Sequence, residues 1–255
     1  MKHFAASIFL AILATNTTAT TNVQDWWWNP ALNGMGFNVG QQGDTVSVAW
    51  YLYDSSENPT FLIFFGPLVN DVVEGSLWRS YGPQPGIGYD PDNVTSEVVG
   101  TARLSFSSGN AAVFSYDYDG RSGTINLQRF SFGAQDFSGE WEYVGNNVTS
   151  GCTNPSNNGA DINGGRLSIS QNGNFAVVTD TDYTAGGTCT YNLTLSQKGS
   201  YYQGSGTFSC NYGVSGTAVV SDVRKTDDFL TLQYDAQATS GETCREQSKL
   251  AAVEN

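Results

Sequence analysis

A chain of 255 residues with a formal charge of −13 is a poor partner for nucleic acid or anionic membrane surfaces, whose phosphates it repels. Only 14% of its residues are charged, against 29 glycines and 13% aromatics, a balance that favours strands and tight turns over solvated helices. Its one histidine, His3, stands at the extreme N-terminus, so past that point there is no imidazole for a Ser-His-Asp triad or a zinc site.

The first 22 residues read as a secretory signal peptide: Lys2, an apolar run from Phe4 to Ala14, then small residues around Thr17-Thr18-Ala19. The mature protein is therefore expected to be secreted or periplasmic. No later stretch approaches the roughly 20 apolar residues of a membrane helix, and no membrane insertion is expected.

Residues 25–38, "DWWWNPALNGMGFN", come next. In a strand Trp26 and Trp28 share one face and Trp27 takes the other. Each indole can bury roughly 150–250 Å², so three in water would make an unusually large apolar patch. Trp28 with one neighbour is expected to plug a barrel, and a remaining ring to stay outside as a platform. Asn29-Pro30 ends the strand because proline cannot donate to a ladder. Gly34-x-Gly36 lacks the strand–loop–helix setting of a nucleotide site and reads as a turn into Phe37–Gly40.

Alternating runs then recur: Thr45–Tyr53, Thr60–Gly66, Ala102–Ser107, Ala111–Tyr118, Thr124–Phe132 and Arg166–Ser170, separated by "QQGD", "SSENP", "SSGN", "DGRSG" and "QNGN". The fold expected is all-β: two small antiparallel β barrels or sandwiches in tandem, over residues 23–135 and 136–255. Cysteines occur only in the second. There "FSGEWEYV" (137–144) reads as an opening strand whose Trp141 plugs a barrel end.

The four cysteines allow three pairings. Thr188–Ser196 and Gln203–Asn211 flank a two-residue loop, Gly199-Ser200, and counting outward sets Cys189 against Cys210. Cys152 and Cys244 then pair by elimination, both bonds suiting an oxidising compartment.

Carboxylate pairs (Asp54 with Glu57, Asp90 with Asp92, Asp117 with Asp119) are the residues that could serve glycoside hydrolysis, which needs two carboxyl groups about 5–10 Å apart across a cleft. Each sits in a turn context where short acids cap backbone N–H groups, so no catalytic residue is assigned. The oxygen-rich stretches "YDPDN" (89–93), "DYDGRS" (117–122) and "DINGG" (161–165) do not match an EF-hand loop, and no metal or other cofactor is expected. Asn93, Asn147 and Asn192 open Asn-x-Thr triplets.

The order Trp28-Asn29-Pro30, Gly34-x-Gly36-Phe37, Trp50-Tyr51-x-Tyr53-Asp54 and Asn58-Pro59-Thr60-Phe61 resembles an uncharacterised β module of exported bacterial proteins, and residues 100–130 are similar to its later strands. Phe61 stands where that module carries tryptophan and Asn58 where it carries a turn glycine. The resemblance implies the β fold and no reaction. Residues 137–250, with Gly139-x-Trp141, resemble lipocalin- or avidin-like barrels at the level of fold. The function expected is an exported binding or surface-associated protein without turnover, meeting glycan or an extracellular protein through Trp26, Trp27, Tyr51 and Tyr53. A carboxylate-dependent glycoside hydrolase and a structural subunit of an extracellular assembly are the alternatives.

Overall fold

The computed structural model describes residues 22–184 and 186–255. The leader expected over residues 1–22 lies, but for its last residue, outside the described residues. Period-two alternation sets the architecture: Thr45–Tyr53 buries Val46, Val48, Trp50 and Leu52 and turns Ser47, Tyr51 and Tyr53 outward. Strands of this kind leave half their side chains needing cover, and a sheet that closes on itself covers them while removing its edges.

The chain does this twice. β1 (Asp25–Trp28), β2 (Gly36–Gln42), β3 (Thr45–Tyr53), β4 (Pro59–Pro67), β5 (Val72–Tyr81), β6 (Thr95–Ser108), β7 (Ala111–Tyr118) and β8 (Arg121–Arg129) form one closed antiparallel barrel in sequence order. β1 pairs with β8 through Trp27 and Arg129 to shut it. β9 (Gly139–Ser150), β10 (Gly159–Asn172), β11 (Phe175–Asp182), β12 (Thr188–Lys198), β13 (Tyr201–Cys210), β14 (Ser215–Lys225), β15 (Phe229–Ser240) and β16 (Arg245–Glu254) form the second, closed by β16 on β9. The link between the barrels is residues 130–138.

The two barrels plug their bases with the same device. Trp27 is buried and its indole N–H donates to the Val23 carbonyl; Trp141 is buried and donates to the Phe137 carbonyl. The Val23 N–H donates to Gln41 Oε1 and the Phe137 N–H to Gln171 Oε1. Each of these glutamine amides also donates to a turn carbonyl, of Gly43 and Gly173. A polar bracket thus satisfies the indole and the incoming backbone at each plug, as buried donors require.

The plugged ends abut. The β12–β13 hairpin runs into the base of the first barrel, with Lys198 opposite Tyr201 and Gly199-Ser200 as its loop. Cys189 stands opposite Cys210, and both disulfides, Cys189–Cys210 and Cys152–Cys244, form at the far, open end of the second barrel.

Several expectations change. Trp27, a candidate ligand contact, is 1% exposed and packs edge-to-face on Phe106, because it rather than Trp28 takes the inward face. Trp28 instead rests its ring against Phe130. "DINGG" is part of strand β10, not a loop. Asn147 points into the second barrel and is buried, which removes it as a glycosylation acceptor. β8 stops at Arg129, three residues short of the expected end, where the chain leaves the sheet for the link.

Candidate functional site

Strand β4 is apolar on both faces. Leu62 and Phe64 fill the first barrel, while Phe61, Ile63 and Phe65 face outward, and Phe61 and Phe65 are exposed. Register extends this row sideways: Phe61 pairs with Tyr51 on β3, and Ile63 with Trp78 on β5. On the other side Gly36 of β2 lies opposite Tyr51 and carries no side chain. Trp26 reaches across it to stack on Tyr51, with ring centroids 5.8 Å apart and planes 14° from parallel. Trp26 is 41% exposed, and the result is an aromatic wall spanning β1 to β5.

Tyr53 continues the wall and is held by the preceding loop: a Cβ on Gly34 would stand 3.0 Å from its ring. The β3–β4 turn beside it is fixed by Asp54, which accepts from the backbone N–H groups of Ser56 and Asn58. The Asn58 and Ser56 hydrogen bonds hold that carboxyl below the usual aspartate range.

On its other flank Trp26 lines a groove of about 580 Å³. Gln24, Asn38, Gln42, Thr45 and Ser47 supply amides and hydroxyls there, and Ser200 and Arg224 reach in from the second barrel. Trp26 therefore divides an apolar wall from a polar groove. Rings offer flat apolar faces, and the groove offers donors and acceptors beside them.

Of the four candidate ligand contacts, Trp26 and Tyr51 touch, Tyr53 lies on the same face, and Trp27 is in the core. Ile63, Phe65 and Trp78 were not singled out from the sequence. The signal available for the first two was "FLIFF" (61–65), apolar at five successive positions of an antiparallel strand, which marks two faces seeking contact.

All but one of the acidic pairs' residues sit in turns, Asp117 being the exception. Asp90 caps a 3-10 turn at Pro91–Asn93 by accepting from Asp92 N–H. Asp119, at φ 54°, occupies the β7–β8 loop next to Gly120, while Asp117 faces outward on β7 opposite Ser122. Cys152, Glu242 and Cys244 cluster closely, yet both sulfurs are engaged in their disulfide. Among the described residues no helix is long and apolar enough to cross a membrane.

No family model matches the chain, and no curated protein matches it. Among solved structures it is similar to a crystal structure of a protein of unknown function from the DUF3598 family of Nostoc punctiforme. That likeness has 13% identity and a TM-score of 0.26 over 92% of this chain and 97% of the other, a level that carries no assignment of activity.

Proposed function

We propose that this is an exported, non-enzymatic binding protein whose first barrel takes a neutral glycan on the face carrying Trp26, Tyr51 and Tyr53. The observation that carries this reading is the position of Trp26, stacked on Tyr51 and bordering the groove of Asn38, Gln42, Thr45 and Ser47. A pyranose presents an apolar C–H face and a rim of hydroxyls. It would lay the face on the indole and turn the rim to the amides and hydroxyls. The charge of −13 favours a neutral chain over an anionic one. Disulfides on both sides of the second barrel's open end suit an oxidising compartment.

The test is a glycan array probed with the disulfide-bonded protein, followed by titration of Trp26→Ala and Tyr51→Ala. Binding to one neutral class that weakens about tenfold or more in either variant, with unchanged thermal melting, is the expected result. A blank array overturns the glycan reading. The exposed Phe61, Phe65 and Trp78 would then favour a protein partner, sought by crosslinking from that face.

A further inference from the structure

Strand β14 contains one residue too many for its neighbours. Ser221 pairs with Gln233 and Arg224 with Thr231 on β15, while Val220 pairs with Gly204 and Val223 with Tyr202 on β13. Three steps on β14 answer two on each flanking strand, which is a β-bulge. Asp222 sits inside it at φ 53°, in the left-handed region that aspartate enters more readily than most residues.

The extra residue reverses the alternation. Before the bulge Ala218 and Val220 point into the second barrel, and after it Val223 does. An uninterrupted strand would carry position 224 inward, on the same face as 218 and 220. The bulge turns Arg224 outward instead, into the groove beside Trp26.

Arg224 is held there on two sides. Its Nε donates to Asp222 Oδ1 at 2.8 Å, and its guanidinium lies over the Tyr201 ring, 5.4 Å from the centroid. Its two terminal amino groups donate to none of the described residues. The second barrel thus presents a fixed fork of N–H donors to a groove of about 580 Å³ that Trp26, Asn38 and Ser47 line from the first. A donor fixed in advance loses little freedom on binding.

The fork brings no surplus charge. Asp222 matches Arg224, and Asp25, the other charged side chain lining the groove among the described residues, is matched by Arg129. A planar guanidinium fork meets two oxygens held side by side. With its charge already matched, two hydroxyls on neighbouring carbons of a sugar ring suit it better than a carboxylate.

We propose that Arg224 is the specificity-determining residue of the Trp26 groove, its terminal amino groups donating to two adjacent hydroxyls of a neutral glycan. The sugar that lies on Trp26 thereby also reaches the second barrel. This inference rests on the glycan reading and narrows it. Every ring of a 1,4-linked pyranose chain keeps two hydroxyls on neighbouring carbons, whereas the interior rings of a 1,3-linked chain do not.

Isothermal titration of the full disulfide-bonded chain tests it, with cellohexaose, mannohexaose and xylohexaose as 1,4-linked probes and laminarihexaose as the 1,3-linked one. At least one 1,4-linked hexaose is expected to bind, and laminarihexaose to bind about tenfold or more weaker. Arg224→Gln and Arg224→Lys should each weaken the bound hexaose by about tenfold with unchanged thermal melting, because a lysine ammonium is a point donor and not a fork. If either variant melts early, the comparison of 1,4- and 1,3-linked probes on the wild type decides the matter. Binding lost in Trp26→Ala but kept in Arg224→Gln overturns the inference and leaves the glycan reading standing. Equal binding by Arg224→Lys, or equal binding of laminarihexaose, does the same. Tighter binding of hexagalacturonate overturns it by making the fork a carboxylate site. Failure to bind any 1,4-linked hexaose overturns it as well, and the glycan reading then stands or falls with the array.

Discussion

The Asp25 carboxylate lies 2.9 Å from the Arg129 guanidinium, with their side chains only 4% and 1% exposed. The pair joins the barrels. The same Asp25 oxygen accepts the Ser200 N–H and hydroxyl from the second barrel's hairpin. Arg129 also donates to the Asn22, Gln24 and Gly109 carbonyls and lies over the rings of Trp27 and Tyr201, one from each barrel. Hydrogen bonds from both barrels surround the pair, which is the condition under which a buried ion pair offsets its desolvation.

Removing one partner leaves the other charged and unpaired. Arg129→Ala is expected to cost about 3–5 kcal/mol and to split unfolding into two transitions, one per barrel, in urea titrations followed by fluorescence. Gly199→Ala should act in the same direction. Its Cβ would fall 2.2 Å from Asp25 Oδ2, and its φ of 66° disfavours a side chain. A single unshifted transition in both variants would mean the barrels are coupled elsewhere.

Trp26 and Trp27 are neighbours with opposite fates. Trp27→Ala empties the plug of the first barrel and strands the Val23 carbonyl that accepts its indole N–H; a loss of about 3–5 kcal/mol is expected. Trp26→Ala removes an exposed ring from the surface and should change stability by less than about 1 kcal/mol. Denaturant midpoints of the two variants, measured side by side, check the difference.

This contrast shows what the sequence conveys. Alternation in "TVSVAWYLY" places every residue of β3, because polar Ser47 identifies the outer face. "DWWW" has no such marker. Period two says that Trp27 opposes its neighbours, not which of them is inside. Hairpin counting recovered the Cys189–Cys210 register, since a two-residue loop fixes all pairs above it. The Asp25–Arg129 pair, 104 residues apart, depends on barrel closure and docking, which no local pattern encodes. The duplicated plug has a local signature in spacing: Val23 and Phe137 each precede a tryptophan by four residues, and "QQGD" and "QNGN" both supply the bracketing glutamine. The polar interior of the second barrel is hidden in the sequence because Asn and Ser in a strand look like outward residues until Trp141, Tyr143, Gly145 and Asn147 are placed on one face.

The disulfides should differ in weight. Cys152–Cys244 closes 92 residues and ties the loop after β9 to the loop before β16, the two strands that shut the second barrel. Cys189–Cys210 spans 21 residues within one hairpin. On loop-closure entropy the first is worth about 4–5 kcal/mol and the second about 3. Paired Cys→Ser variants are expected to melt in that order. The reverse order would place the main role of Cys189–Cys210 in shaping the open end of the second barrel.

Burial pushes the Asp180 carboxyl up to about 6, with Asp182 and Glu246 reinforcing it and the Tyr143 hydroxyl pulling the other way; Glu246 is raised chiefly by burial as well. Tyr191 and Tyr234, on β12 and β15, also face this charge, and each is raised mainly by its own burial. A carboxyl whose folded value lies above its unfolded one, 3.8 for aspartate, favours the folded state while protonated. Its contribution is full below about pH 4 and is lost as pH rises through about 6. The second barrel should therefore be more resistant to urea at pH 5 than at pH 8, by on the order of 1–3 kcal/mol. Approach to the isoelectric point, about 4.2, also eases repulsion across the whole chain, so the comparison needs Asp180→Asn. That variant should flatten the pH dependence and be more stable than wild type at pH 8. A pH dependence that survives unchanged in Asp180→Asn would place its origin in Glu246 instead, whose carboxyl is also raised by burial.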